Sequence, residues 1–230
     1  MVYLTGDTHG NIDRIIEFCN NNNTSIDDIL IILGDAGFNF FLNYRDDVLK
    51  HTANKLPITL FCIRGNHEAR PQNIKSYATE MFHGDTVYYE KEYPNIKFAI
   101  DGGIYDFDGF RCLTIGGAYS VDKYYRLRSN SIWFADEQLS NKEMCDINDY
   151  VFVDNEYDYV FTHTCPYDTR PTHLFLNGID QLTVDTSMEE WLQFVADCIK
   201  FKKWYFGHFH DNWENGKYKM LYDDIIILGE

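Results

Sequence analysis

The sequence predicts an α/β fold, and three observations carry that expectation. Two continuous aliphatic runs, Ile29–Leu33 ("ILIIL") and Ile58–Ile63 ("ITLFCI"), have the composition of strands buried on both faces. Segments with apolar residues at helical spacing precede each run. The connections are short, so strand–helix–strand–helix–strand implies parallel pairing through right-handed crossovers, a βαβαβ unit.

The elements follow in order. Val2 to Leu4 starts a short apolar strand, and Asn11 is placed to cap a helix carrying Ile12, Ile15, Ile16 and Cys19. The asparagines from Asn20 to Asn23 end that helix, and Asp27-Asp28 leads into the second strand. Leu49, Thr52, Ala53 and Leu56 mark a second amphipathic helix, closed by Pro57 before the third strand. Lys97–Ile100 and Phe110–Ile115 read as strands joined through Gly- and Asp-rich turns. Ser140-x-x-Glu143 has the form of a capping box, with Met144, Ile147 and Val151 as the apolar stripe behind it. "YDYVFTH" (157–163) is a further strand, and Ser187-x-x-Glu190 opens a last helix expected to bury Trp191, Leu192, Val195, Cys198 and Ile199. "KKWYFGHFH" (202–210), an Asn215-Gly216 hairpin signal, "KYKMLY" and "DIIIL" complete the chain. "DDIIILG" near the end echoes "DDILIILGD" near the start, but no second helix–strand unit accompanies it, so no internal repeat is expected.

Composition narrows the function classes. The 230 residues, 45% of them apolar and without a Pro-, Ser- or Gly-rich linker, suit one domain over 1–230 with a large core. A net charge of −16 repels phosphate backbones, so binding of nucleic-acid polymers is not expected, whereas divalent cations would be welcome. The six cysteines lack any C-x-x-C spacing and read as reduced, packed thiols, Cys165 among them. "MVYLTGD" runs straight into a strand, and no apolar stretch reaches membrane-spanning length; a soluble, cytoplasmic protein with no membrane partner is expected.

Every strand is followed at once by polar residues that suit metals: Asp7 and His9 in "GDTHGN", Asp35 in "GDAG", Asn66 and His67 in "RGNHE", His163 in "FTHTCP", and His208 and His210 in "FGHFH". In extended chain, residues two apart point the same way, so Asp7 with His9, or His208 with His210, would face one side. Open α/β sheets bind ligands beyond the carboxyl ends of their strands, where these groups would converge. A glycine directly precedes Asp7, Asp35, Asn66 and His208, as a sharp bend or a close backbone approach requires. One D-x-H or H-x-H pair alone is more often solvated or hydrogen-bonded than a ligand set. Five such sites, each behind a strand, point jointly to a metal centre.

The ordered set D-x-H, G-D-x-G, G-N-H-E, a later lone histidine and G-H-x-H resembles the calcineurin-like metallophosphoesterases, over positions from Asp7 to His210. That resemblance implies an α/β sandwich of two mixed β-sheets flanked by helices, with two divalent metal ions (Mn²⁺, Fe or Zn²⁺) as cofactors. By the same resemblance Asp7, His9 and His210 hold the first metal, Asn66, His163 and His208 the second, and Asp35 bridges them. A metal-bridged hydroxide would attack phosphorus in a phosphomonoester or small phosphodiester. His67 would donate a proton to the leaving oxygen or stabilise phosphate charge, or alternatively serve as a hydrogen-bond partner of a ligand. Glu68 is expected to orient its loop, and His51, His83 and His173 match no motif.

The expected substrate is a phosphorylated small molecule or a phosphoprotein. Protein Ser/Thr phosphatases carry an Asp-Arg shortly after their G-D, and this chain reads "GDAGFNFF" there, which departs from that branch. Candidate phosphate-gripping cations are therefore sought elsewhere: Arg64, Lys123 and Arg126, with Arg70, Arg128 and Arg170 as further possibilities. Lys123 and Arg126 lie in "YSVDKYYRLR" (119–128), where a Tyr- and Arg-rich rim would stack on a base or grip a phosphate, or merely pack. Rivals to the main reading are a protein Ser/Thr phosphatase, a cyclic-nucleotide or nuclease-type phosphodiesterase, and a non-catalytic scaffold of the same fold.

Overall fold

The computed structural model describes residues 1–230 and is an α/β sandwich of two mixed sheets flanked by helices. One sheet has seven strands: β1 (Val2–Thr5), β2 (Ile29–Ile32), β3 (Thr59–Cys62), β4 (Tyr77–Phe82), β5 (Asp85–Glu90), β6 (Ile96–Ala99) and β13 (Ile226–Ile227), ordered β13-β1-β2-β3-β6-β5-β4. The other has six: β7 (Gly103–Phe107), β8 (Phe110–Ile115), β9 (Glu156–Thr162), β10 (Lys200–Phe206), β11 (Trp213–Asn215) and β12 (Tyr218–Met220), ordered β11-β12-β10-β9-β8-β7. Strands β1, β2, β3 and β6 pair in parallel, as do β8, β9, β10 and β12, while the edges are antiparallel.

The aliphatic runs are buried on both faces because each sheet is covered twice. In β2 and the residue after it, Ile29, Ile31 and Leu33 point toward the other sheet and meet Tyr105, Phe107, Tyr159, Phe161 and Tyr205. Leu30 and Ile32 point outward, onto Ile12, Ile15 and Cys19 of the α1 (Asp13–Asn22) region and Ala53 of α2 (Tyr44–Ala53). The outer face of the second sheet, including Leu113, Val160, Trp204 and Phe206, packs on Met144, Ile147 and Val151 of α4 (Asn141–Val151) and on Trp191, Leu192 and Val195 of α5 (Ser187–Cys198). Each fully buried Leu or Ile contributes roughly 1.5–3 kcal/mol, so these layers fix the strand register tightly.

Local signals hold in part. The Ser140–Glu143 capping box is reciprocal, and Asn215-Gly216 turns β11 into β12. At α1 the N-cap is Ile12 rather than Asn11, although the Asn11 side chain still accepts the Asp13 N–H at 3.1 Å. In α2 the buried residues are Asp46, Lys50 and Ala53, with Thr52 exposed and Leu56 beyond the helix end. Leu49, Ala53 and Leu56 of the predicted stripe do pack on the core; Thr52 does not, and beside them Lys50 is buried by pairing with the Glu90 carboxylate and Asp46 by accepting the N–H groups of Phe41 and Leu42. In α5, Cys198 is only half-buried at the helix end, while Ile199 is buried. "DKYYRLR", expected as a rim that grips substrate or merely packs, forms a short helix, α3 (Lys123–Ser129). No helix is long and apolar enough to cross a membrane.

Candidate metal centre

The parallel registers align Thr5 with Ile32 and Ile32 with Cys62 in one sheet, and Phe161 with Tyr205 in the other. The loops that follow these residues therefore leave at one end of the sandwich, and they bring Asp7, His9, Asp35, Asn66, His163, His208 and His210 together. Donor atoms of Asp7, His9 and His210 lie within 4.8 Å of one another, as do those of Asp7, Asp35 and His163. The Nε2 atoms of His9 and His210 approach to 2.9 Å, and His210 Nε2 lies 3.3 Å from Asp7 Oδ2. Asn66 Oδ1 faces His163 Nε2 at 2.8 Å and His208 Nδ1 at 3.1 Å. The Asp35 carboxylate lies between the two groups, with Oδ2 3.9 Å from His9 Nδ1 and 3.6 Å from His163 Nε2.

The backbone does not do this in extended conformation. β1 ends at Thr5 and β10 at Phe206, and His9, Asp35, His208 and His210 all have left-handed φ, from 45° to 71°. The expected same-side alternation is thus replaced by tight turns. His208 turns toward Asn66, His210 toward Asp7 and His9, and Phe209 between them packs on the second sheet's core. Four of the nine non-glycine residues with positive φ belong to this one cluster, a concentration of strain of the kind found at functional sites. Close approach accounts for two glycines. Gly34 has φ +100°, and a Cβ there would sit 1.9 Å from His163 Nδ1; a Cβ on Gly65 would sit 1.9 Å from Asp35 Oδ1.

The donor set fits divalent cations. Asp7 Oδ2 is buried without a hydrogen-bond partner, an expensive arrangement that a cation would relieve. His163 Nδ1 donates to the Leu33 carbonyl at 2.8 Å, which turns Nε2 inward as a ligand's second nitrogen would be turned. Carboxylate, imidazole and amide oxygen suit Mn²⁺, Fe or Zn²⁺ without a thiolate; Cys165 is buried in the core. Electrostatics divide the histidines. Burial pulls His163 down, but the Asp35 and Asp7 carboxylates override it and raise it to about 9. Burial, reinforced by the His163 charge, lowers His208 to about 3. Burial also lowers His9 and His67. For Asp35, burial would raise the carboxyl, but His163 holds it far below the usual range.

His67 stands at the rim, its backbone N–H donating to Asp35 Oδ1 at 2.8 Å. Its Nε2 lies 3.3 Å from Asn66 Nδ2 and 3.4 Å from Arg126 Nη2, two groups that can only donate, so this nitrogen carries the lone pair. Of the expected phosphate contacts, Arg126 lies beside His67, ion-paired to Asp122 at 2.8 Å, and Arg170 lines the cavity that reaches Asp35, Asn66 and His67. Arg64 is corrected: it is buried, and its guanidinium is consumed by Asp101 and by the carbonyls of Gly65, Gly116 and Glu137. Lys123 lines neither cavity described below; its ammonium rests on the rings of Tyr119 and Trp133. Arg70 is likewise occupied, by Glu143 and the carbonyls of Asp136 and Gln138.

Three supporting groups escaped sequence reasoning. Ser120 Oγ accepts from Asn66 Nδ2 at 2.8 Å and donates to Glu137 Oε2, so the amide oxygen of Asn66 is the atom left facing His163 and His208. Arg14 ties the first loop by donating to the carbonyls of Gly6, Asp7 and Tyr222. Tyr222 stacks on His210 with centroids 4.9 Å apart. Glu68 accepts the Gly65 N–H at 2.9 Å, and burial raises its carboxyl to about 8.

No curated protein sequence matches the chain. One solved crystal structure is 13% identical, covers 96% of this chain and 88% of its own, and has a TM-score of 0.52, a likeness of fold alone. A sequence model of the calcineurin-like phosphoesterases matches residues 1–212, nearly the whole chain and every residue of the cluster, so the chain belongs to this family of metal-dependent phosphoesterases.

Proposed function

We propose that the protein hydrolyses phosphoesters with a pair of divalent cations, Asp7, His9 and His210 holding one, Asn66, His163 and His208 the other, and Asp35 shared. The observation that carries this reading is the unpartnered, buried Asp7 Oδ2 among converging imidazoles, because such a donor set is stable only when a cation or protons sit in it. Metals bound there would supply positive charge to phosphoryl oxygens and lower the pKa of water. The chain supplies the rest. Asp35, fixed through the His67 N–H, orients both halves of the site. His67 faces the substrate side with Arg126 at 3.4 Å, where both reach a phosphoryl oxygen. Burial lowers the pKa of free His67 and an entering phosphate anion raises it, so the imidazole can take up a proton from solvent as substrate binds and pass it to the leaving oxygen. The six free cysteines accord with a reducing cytoplasm.

The test is a metal-swept assay on phosphomonoesters, phosphodiesters and phosphopeptides, with metal content measured by mass spectrometry. Asp35→Asn should lose metal and turnover together. His67→Ala should keep its metal yet lose about 10²–10⁴ in kcat. Normal kcat in His67→Ala would remove the proton-transfer role, and metal-replete protein that turns over none of these esters would overturn the reading.

A further inference from the structure

Two cavities meet at the candidate metal centre, and together they indicate which phosphoesters it takes. The first, about 260 Å³, reaches Asp35, Asn66 and His208 at its floor, has an apolar wall that includes Leu174, Phe175 and Leu176, and also carries Arg170 and Glu189. The second, about 590 Å³, begins at His9 and is lined by Phe40, Phe41, Leu49, Arg45 and Arg126. Their linings share only His67, Asp122 and His210. A phosphorus atom beside His67 and His210 therefore borders both cavities.

We infer that the preferred substrate is a phosphodiester with two organic limbs, one seated in each cavity. This inference rests on the phosphoesterase reading above. A monoester has one organic substituent and leaves one cavity filled with water against exposed apolar side chains, whereas a diester buries surface in both. The second cavity offers a flat limb a stacking surface: Arg45 lies 4.9 Å over the Phe41 ring, beside Phe40 and Leu49. The net charge of −16 argues for small diesters over long polymers. In the reaction one water is consumed: its oxygen bonds to phosphorus, the ester bond to one limb breaks, and the departing alkoxide takes a proton. The products are an alcohol and a phosphomonoester.

The experiment compares kcat/KM for bis(4-nitrophenyl) phosphate and 4-nitrophenyl phosphate on Mn²⁺-loaded protein. The diester should be favoured about tenfold or more after correction for their solution reactivities. Phe41 and Leu176 are exposed, 38% and 62%, so they can be changed without opening the core. Phe41→Ala with Arg45→Ala, and separately Leu176→Asp, should each lower the diester-to-monoester ratio about fivefold, mainly through the diester KM. Turnover of the monoester with the diester disfavoured, or variants that leave the ratio unmoved, would overturn the inference while leaving the phosphoesterase reading intact. Failure on both esters would overturn that reading as well.

Discussion

Ser120→Ala isolates the positioning of one ligand from the ligand itself. Ser120 is buried, and its hydroxyl does two things: it accepts from Asn66 Nδ2 at 2.8 Å and donates to Glu137 Oε2. Removing it leaves Glu137 still holding the Ser120 N–H at 3.1 Å and Trp133 Nε1 at 2.8 Å, so the carboxylate keeps partners. Asn66 Nδ2 loses its shorter, buried acceptor and keeps only the 3.3 Å contact to His67 Nε2 at the rim, which costs up to about 1–3 kcal/mol of stability. Without the serine only the long contact to His67 Nε2 opposes the amide turning over and presenting Nδ2 to His163 and His208. Loss of an orienting partner of this kind lowers metal affinity about 10–100-fold, or about 1.4–2.8 kcal/mol. Isothermal titration of Mn²⁺ into metal-free protein reads the affinity, and urea unfolding of the same metal-free samples reads the stability. A variant that loses stability but binds Mn²⁺ within about twofold of the parent would refute the orienting role and leave Ser120 a packing residue.

Two further predictions concern the same site. His163 is raised to about 9 in the metal-free chain, so its contribution is complete below its unfolded value of about 6.5 and is lost as pH rises through about 9. The metal-free protein should therefore lose stability across that window, and metal uptake at pH 7.5 should release a proton; identical titration enthalpies in buffers of different ionisation enthalpy would contradict this. Gly34→Ala must accommodate both a φ of +100° and a Cβ that would sit 1.9 Å from His163 Nδ1. It should cost on the order of 1–3 kcal/mol from the backbone alone and reduce bound metal, and an unchanged Tm with full metal content would show that the close approach can be relieved elsewhere.

Much of this arrangement is legible in the residues themselves. Ile29–Leu33 and Ile58–Ile63 announce doubly covered strands because a continuous aliphatic run has no polar face to expose, and the polar residues directly after them mark the binding end. The β4–β5 hairpin was hidden because "YATEMF" is half polar and its turn is His83-Gly84, whose positive φ at both positions does the work usually signalled by Asn-Gly. Arg64 looked available because a cation beside G-N-H-E suggests a substrate contact, and only the fold reveals that Asp101, Gly116 and Glu137 absorb it. The Asn66–Ser120–Glu137 chain joins residues up to 71 positions apart by hydrogen bonds that leave no periodicity to read. Nor do residue types dictate that His208 and His210 turn left-handed, since burial of Phe209 and contact with Asp7 and Asn66 decide it.

The convergence of loops from both sheets has a consequence for synthesis. A chain emerging N-terminus first has Asp7, His9, Asp35 and Asn66 early, which is too few imidazoles to hold two ions firmly, and these sites gain His163 only after two-thirds of the protein exists. His208 and His210 come last, and their loop is threaded between Asp7 and Asn66 only when β10 has joined β9. On the proposed function, metal capture would report completion: hydrolytic capacity would be withheld from every half-assembled chain and granted when the loops after β1 and β10 meet.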